Sequence, residues 1–161
     1  IAPSLVGSEM CIRDRADGVH FTCQPNCGRC CDEPGGIVYL SRADAQRIAE
    51  HKDLDVHTFL KRECTKTLDG RYILRSNQSD GICIYLDEKK QCTIYEVRPQ
   101  QCKAFPWWSE NLRSKRSWNK VKATCPGLTA EDAILIRGEE IRLHVHADRQ
   151  STQGFRVWDD A

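Results

Sequence analysis

With 161 residues, 40% hydrophobic content and 24 basic against 23 acidic side chains, the chain has room for one modest core and a net charge of only +1. That balance gives no electrostatic case for nucleic acid or an anionic membrane, and no apolar run approaches the roughly 20 residues of a spanning helix. Cysteine is the outlier: four of the ten, Cys23, Cys27, Cys30 and Cys31, fall in the single stretch CQPNCGRCC.

The first fifteen residues, IAPSLVGSEMCIRDR, show neither helical nor strand periodicity. VGSEMCIRDR resembles translated sequencing-adapter read-through. Residues 1–15 are therefore read as a non-native leader and set aside with Cys11, leaving 16–149 as a cysteine-cluster domain and 150–161 as a C-terminal tail. Export cannot be judged from such a start.

After the cysteine run, Pro34-Gly35-Gly36 signals a turn, and IVYL (Ile37 to Leu40) reads as a strand. Ser41 with Asp44 three residues on forms an acidic capping box that opens a helix over RADAQRIAEHK, with Ala45, Ile48 and Ala49 on its buried face. Asp55 caps a second helix, Val56 to Cys64. Leu68-Asp69-Gly70 turns the chain, and Arg71 to Arg75 and Ile82 to Leu86 read as strands. A charged turn from Asp87 to Lys90 leads to CTIYEVRPQQCKAFPWW, where Pro99 suits the first turn of a short helix reaching Ala104.

The polar, basic stretch Asn111 to Lys120 reads as an exposed loop. AILI (Ala133 to Ile136) is expected as a strand and GEEIRLHVHADR as a helix. Ile141, Leu143 and Val145 also alternate as in a strand. The tail from Gln150 is polar, with Phe155, Val157 and Trp158 able to dock. The composite is an α+β fold of short helices and a few strands.

Once Cys11 is set aside, Cys23, Cys27, Cys30, Cys31, Cys64, Cys83, Cys92, Cys102 and Cys125 remain. Their odd number, the vicinal pair Cys30-Cys31 and a chain long enough for a core argue against a disulfide framework. A lone buried thiol is an ordinary small hydrophobe, but no core needs four in one tight loop. Metal binding does: thiolates must converge on one point, which favours ligands two or three residues apart on a turning backbone. Three close cysteines plus a distant fourth is how a cubane iron–sulfur cluster is often held, so the spacing favours iron and leaves zinc open. Cys30 and Cys31, being consecutive, would point apart from an extended backbone, so one could serve a second site or bridge. Arg29, Arg98 and Lys103 stand beside proposed ligands and would offset thiolate charge.

FTCQPNCGRCC, GICIYL, CTIYEVRPQQCKAFPWW and CPG, in that order, resemble the YkgJ-type cysteine-cluster family, a zinc- or iron-chelating domain with a CxxCxxCC signature. The resemblance covers about Phe21 to Leu128. It implies metal ligation by Cys23, Cys27, Cys30, Cys31, Cys83, Cys92, Cys102 and Cys125, with Tyr95, Arg98, Pro99, Phe105 and Pro106 as motif partners. Cys64 lies outside the pattern and is expected as a core thiol near a helix end. Leu128-Thr129-Ala130 replaces the Gly-x-Gly that often follows Cys-Pro-Gly in the family. A flagellin lysine methylase with a similar motif makes redox or methyl-transfer chemistry the alternative to a structural or binding role.

The spacing of Cys23, Cys27 and Cys30 also matches the radical S-adenosylmethionine signature, but the chain is too short for that partial barrel. His20 is expected at the surface, and His144 and His146 cannot chelate together on a helix. Tyr95 is expected to pack, and Phe105, Trp107 and Trp108 to shield the metal. No phosphate loop, Ser-His-Asp spacing or HExxH appears. The expectation is a cytoplasmic metal-chelating protein that takes zinc or an iron–sulfur cluster and has a metal ion as its partner, with no nucleic-acid or membrane partner.

Overall fold

Short antiparallel strand pairs and a series of helices make up the α+β fold in the computed structural model, which describes residues 18–159. The leader assigned to residues 1–15, with Cys11, lies outside the described residues. In chain order the elements are β1 (Val19–Phe21), α1 (Arg42–His51), α2 (Val56–Glu63), β2 (Cys64–Lys66), β3 (Tyr72–Leu74), α3 (Gln100–Ala104), α4 (Ser109–Leu112), α5 (Lys115–Thr124), β4 (Ile134–Ile136) and α6 (Gly138–Thr152). They pack as two units. One runs to Arg29 and resumes over Ala104–Arg149; the other takes Cys30–Lys103 and the segment from Gln150.

In the second unit α1 begins as the sequence predicts. Ser41 Oγ accepts from Asp44 N–H at 3.0 Å while Asp44 Oδ2 accepts from Ser41 N–H at 3.0 Å, a reciprocal box that satisfies two otherwise orphaned donors. Ala45, Ile48 and Ala49 are buried. Asp55 caps α2 by accepting from Thr58 N–H at 3.1 Å. That helix stops at Glu63, because Cys64 is already extended and begins β2, which pairs with β3 in the register Cys64 to Leu74. These elements close a core of Leu40, Ile48, Phe59, Leu60, Cys64, Leu74, Tyr85, Ile94 and Phe155.

Two expected strands are reduced. IVYL contributes one bridge, Tyr39 to Ile73, with Leu74 N–H donating to Val38 O and Leu40 N–H to Tyr72 O. ICIYL is not a strand either: bridges at Ser76–Cys83 and Leu86–Cys92 flank a turn, since Leu86 N–H folds back onto Cys83 O. The tail is better anchored than its polarity suggests: α6 runs on to Thr152, Phe155 is buried, and its carbonyl accepts from Tyr72 N–H at 3.0 Å.

In the first unit β1 and β4 pair antiparallel with Val19 opposite Ile136, and β1 carries too few residues to show a period. The stretch expected as a loop from Asn111 to Lys120 is largely helical. Ser114 caps α5 by accepting from Ser117 N–H at 3.1 Å, and Trp118, Val121 and Cys125 follow helical spacing onto the core. That core stacks Trp107 on Trp118 at 5.8 Å and sets Phe21 edge-on to Trp107 at 5.7 Å. Residues 138–152 form the helix expected there, so His144 and His146 do not share a face.

The end of β1 is held against the turn after Cys125. Thr22 N–H donates to Gly127 O at 3.1 Å, and a Cβ at Gly127 would lie 2.5 Å from Thr22 O and 2.8 Å from the Phe21 ring. Only glycine permits this approach. Gly127→Ala is expected to cost about 1–3 kcal/mol by overpacking, read as a lowered denaturation midpoint at unchanged slope.

Candidate metal centre

The eight cysteines of the expected site divide between the two units. Cys30, Cys31, Cys83, Cys92 and Cys102 belong to the second; Cys23, Cys27 and Cys125 belong to the first. None of the nine described cysteines is joined in a disulfide.

In the second unit the backbone at Cys30 and Cys31 turns instead of extending, and their Sγ atoms stand 4.0 Å apart. The expectation that consecutive side chains diverge therefore fails at this pair. Three ties bring the turn to the distal cysteines. Lys90 Nζ pairs with Asp32 Oδ2 at 2.8 Å, linking the Cys31 turn to the loop before Cys92. Gly35 N–H donates to Gly81 O at 3.2 Å, joining the same segment to the residues entering Cys83. The Gln101 side chain accepts from Tyr39 N–H at 2.8 Å and donates to Ile37 O at 2.9 Å, which seats α3 and its Cys102 beside the strand-like segment that leaves the cysteine loop.

The buried Asp44 carboxylate fixes the start of α3. Beyond its capping role it accepts from Gln100 N–H at 3.1 Å and from the Arg47 guanidinium at 2.7 Å, and Arg47 also donates to Arg98 O at 3.0 Å. The loop before Cys92 is held by Asp87 Oδ1, which accepts from Lys89 N–H and Gln91 N–H at 2.8 and 2.9 Å.

The thiols then act on one another. Contact with Cys30 and Cys83, together with burial, raises the Cys31 thiol well above its usual range. Cys30, in contact with Cys31 and in the field of Arg98, falls to about 7. Cys83 also falls to about 7, through Cys31 and then the backbone N–H groups of Tyr85 and Leu86. Burial raises Cys92 and Cys102, and the neighbouring sulfurs Cys30 and Cys83 raise both further. Arg98, one of the three cations expected to offset thiolate charge, opposes the rise at each. Lys103 instead is held below its usual range by burial and by the charges of Arg47 and Arg98. Tyr95 does not pack into the core: it is half exposed and its ring lies 3.9 Å from the Arg98 guanidinium carbon.

In the first unit Cys125 caps the end of α5 and is buried. Burial raises its thiol, the N–H groups of Gly127 and Leu128 lower it, and Cys27 and Cys23 raise it again, so all three sulfurs share one field. Asn26 and Gly28 adopt positive φ of 59° and 60°, which turns the chain between these cysteines. Thr22 Oγ1 accepts from Ile134 N–H, and Gln24 Nε2 donates to Asp132 Oδ1 at 3.1 Å, which staples the start of the loop to the entry of β4. Phe105 packs on Trp108 at 5.0 Å, while Trp107 lies in the core that includes Cys125.

Among the described residues, no three His, Cys, Asp or Glu side chains converge closely enough to hold an ion as they stand. The donor chemistry nevertheless fits. Sulfur atoms around a tetrahedral zinc are about 3.8 Å apart, given zinc–sulfur bonds of about 2.3 Å, and the Cys30–Cys31 separation of 4.0 Å matches that edge. Cys64 is different: it is 1% exposed within the hydrophobic core, and burial pushes it up to about 12. His20 is exposed on β1.

Residues 22–126 match a protein family described as "Putative zinc- or iron-chelating domain", with the signature CxxCxxCC. The chain belongs to this family. It is a metal-chelating cysteine-cluster domain. An uncharacterized protein of Methanocaldococcus jannaschii is 35% identical over 92 residues, which are 56% of this chain and 47% of that protein. The chain thus spans about half the length of that relative. No solved structure matches it. No helix of the described residues is long and apolar enough to cross a membrane.

Two measurements check the site's construction. In metal-stripped protein, Cys30 and Cys83 are expected to be alkylated by iodoacetamide at rates that climb through about pH 7, where a lowered pKa places the thiolate, while Cys64 stays unmodified; peptide mass spectrometry reads all three. Asp44→Ala leaves Arg47 and two backbone donors without their buried acceptor and is expected to cost about 2–4 kcal/mol, with metal lost at lower denaturant than in the wild type.

Proposed function

We propose that the chain chelates metal through two groups of thiolates, one in each unit, in a structural or binding role. Cys30, Cys31, Cys83, Cys92 and Cys102 make one group, and Cys23, Cys27 and Cys125 the other. The observation that carries this reading is the mutual electrostatics of the sulfurs. Within each unit the thiols raise or lower one another's proton affinity, which requires that they lie within a few ångströms to about a nanometre.

Zinc is the metal favoured for the larger group. Within its own unit Cys30 acts with Cys31, Cys83, Cys92 and Cys102. The 4.0 Å separation of Cys30 and Cys31 suits two ligands on a single ion. Four thiolates would close that site and leave the fifth beside it. When bound, the ion would be the charge that holds the sulfurs together, and its binding energy would contribute directly to folding. An iron–sulfur cluster is the second reading, supported by the closely spaced thiols near the N-terminal loop.

Anaerobic purification, elemental analysis and a visible spectrum decide between them. Colourless protein with zinc is expected; brown protein with iron and sulfide in similar amounts would replace zinc by a cluster. Cys83→Ser and Cys27→Ser should each remove part of the metal, and wild-type metal content in both would refute the assignment.

A further inference from the structure

The second unit carries a cleft that involves none of the metal-binding cysteines. It has a volume of about 410 Å³, within the usual range for small-molecule sites, and it lies between α2, the β2–β3 pair and the docked tail. His57, Leu60 and Lys61 reach it from one face of α2. Lys66 and Tyr72 come from the sheet, and Arg156, Val157 and Trp158 from the tail.

The charge of the lining is one-sided. Lys61, Lys66 and Arg156 bring three cations and no carboxylate lines the cleft; Asp69, outside the lining, pairs with Arg156 Nη2 through Oδ2 at 3.5 Å. Two cations are already oriented. Lys66 Nζ donates to Arg156 O at 2.9 Å and stands 4.6 Å from the centre of the Tyr72 ring. Arg156 is braced from behind, its Nε donating to Asp69 O at 2.9 Å. Asp69 also binds Arg71 at 2.9 Å, and Arg71 in turn donates to Thr152 O at 2.7 Å, so the tail that bears Arg156 is fastened on both sides. Among the described residues no carboxylate pairs with Lys61 or Lys66. Leu60, Tyr72, Val157 and Trp158 supply an apolar wall beside these charges. Val157 is 60% exposed at the edge of this wall.

We propose that this cleft binds a small organic anion with an apolar body, its acidic group held by Lys61, Lys66 and Arg156 and its body laid on Trp158 and Val157. Carboxylate and phosphate share the chemistry that the cations recognise. The site is independent of the metal centre, because its lining residues lie on other elements.

The test uses the full chain as purified, with its metal content unchanged and measured. Indole-3-acetate and adenosine monophosphate are titrated by calorimetry, with indole and adenosine as their neutral counterparts. Saturable binding of at least one anion is expected, weakened at least tenfold in Lys61→Ala and at least threefold when salt rises from 50 to 200 mM, with neither neutral compound bound. The anion that binds identifies the acidic group. Lys61→Ala alters an exposed side chain, and an unchanged circular dichroism spectrum and metal content show that it folds. Binding unaffected by Lys61→Ala, equal binding of the neutral compounds, or no saturable binding of either anion up to 5 mM overturns the proposal.

Discussion

Thiolates repel one another, and every other feature of the second unit has to accommodate that repulsion. Five sulfurs share one field there, and each ionised member raises the proton affinity of the next, as Cys92 and Cys102 show. Arg98 is one positive charge set against several prospective negative ones. The Cys31 thiol is held above its usual range, and its contact with Cys30 and Cys83 holds those two below theirs. A divalent cation answers better, because it attracts all the sulfurs at once and needs none of them protonated.

Such crowding is tolerable only if the backbone is held from outside the cluster. Asp44 does much of this by gathering Ser41, Arg47 and Gln100 onto one buried carboxylate, so the helix start that secures α1 also secures the first turn of α3. Gln101 docks the same short helix on residues 37–39, and Lys90 ties the loop before Cys92 to Asp32. A five-residue helix is marginal alone, so α3 depends on these side-chain bonds more than on its own ladder.

Where the sequence was legible, a local rule was sufficient. Ser41 and Asp44 announce a helix start, Asp55 another, and Pro99 a short one, because capping depends on residues three apart. Cys64 was legible as a core thiol because it lies outside the cysteine pattern and near the end of a helix. The misses have physical causes. Asn111 to Lys120 is so rich in charge that its composition hides a stripe of Trp118, Val121 and Cys125, which Ser114 could have flagged as capped. ICIYL has the residues of a strand but is cut short when Leu86 N–H folds back onto Cys83 O three residues earlier, a tight turn that strand propensity does not announce. β1 and β2 are three residues each, too short for any period to emerge. The basic cleft on α2 was invisible for a similar reason: its charges come from three separated segments, each unremarkable by itself.

The run CQPNCGRCC reads in the sequence as three close ligands, Cys23, Cys27 and Cys30, with one of Cys30 and Cys31 able to serve a second site or to bridge. Proximity along the chain and convergence in space are different properties. Positive φ at Asn26 and Gly28 reverses the chain between Cys23 and Cys27 and again after it, and the Cys30-Cys31 turn then faces both of its thiols to one side. Cys23 and Cys27 act on Cys125, Cys30 and Cys31 on Cys83 and Cys102. An extended backbone would have forced adjacent cysteines apart and made one of them redundant. On a turning one the two Sγ atoms stand 4.0 Å apart, so a CC dipeptide is informative only together with the conformation that carries it.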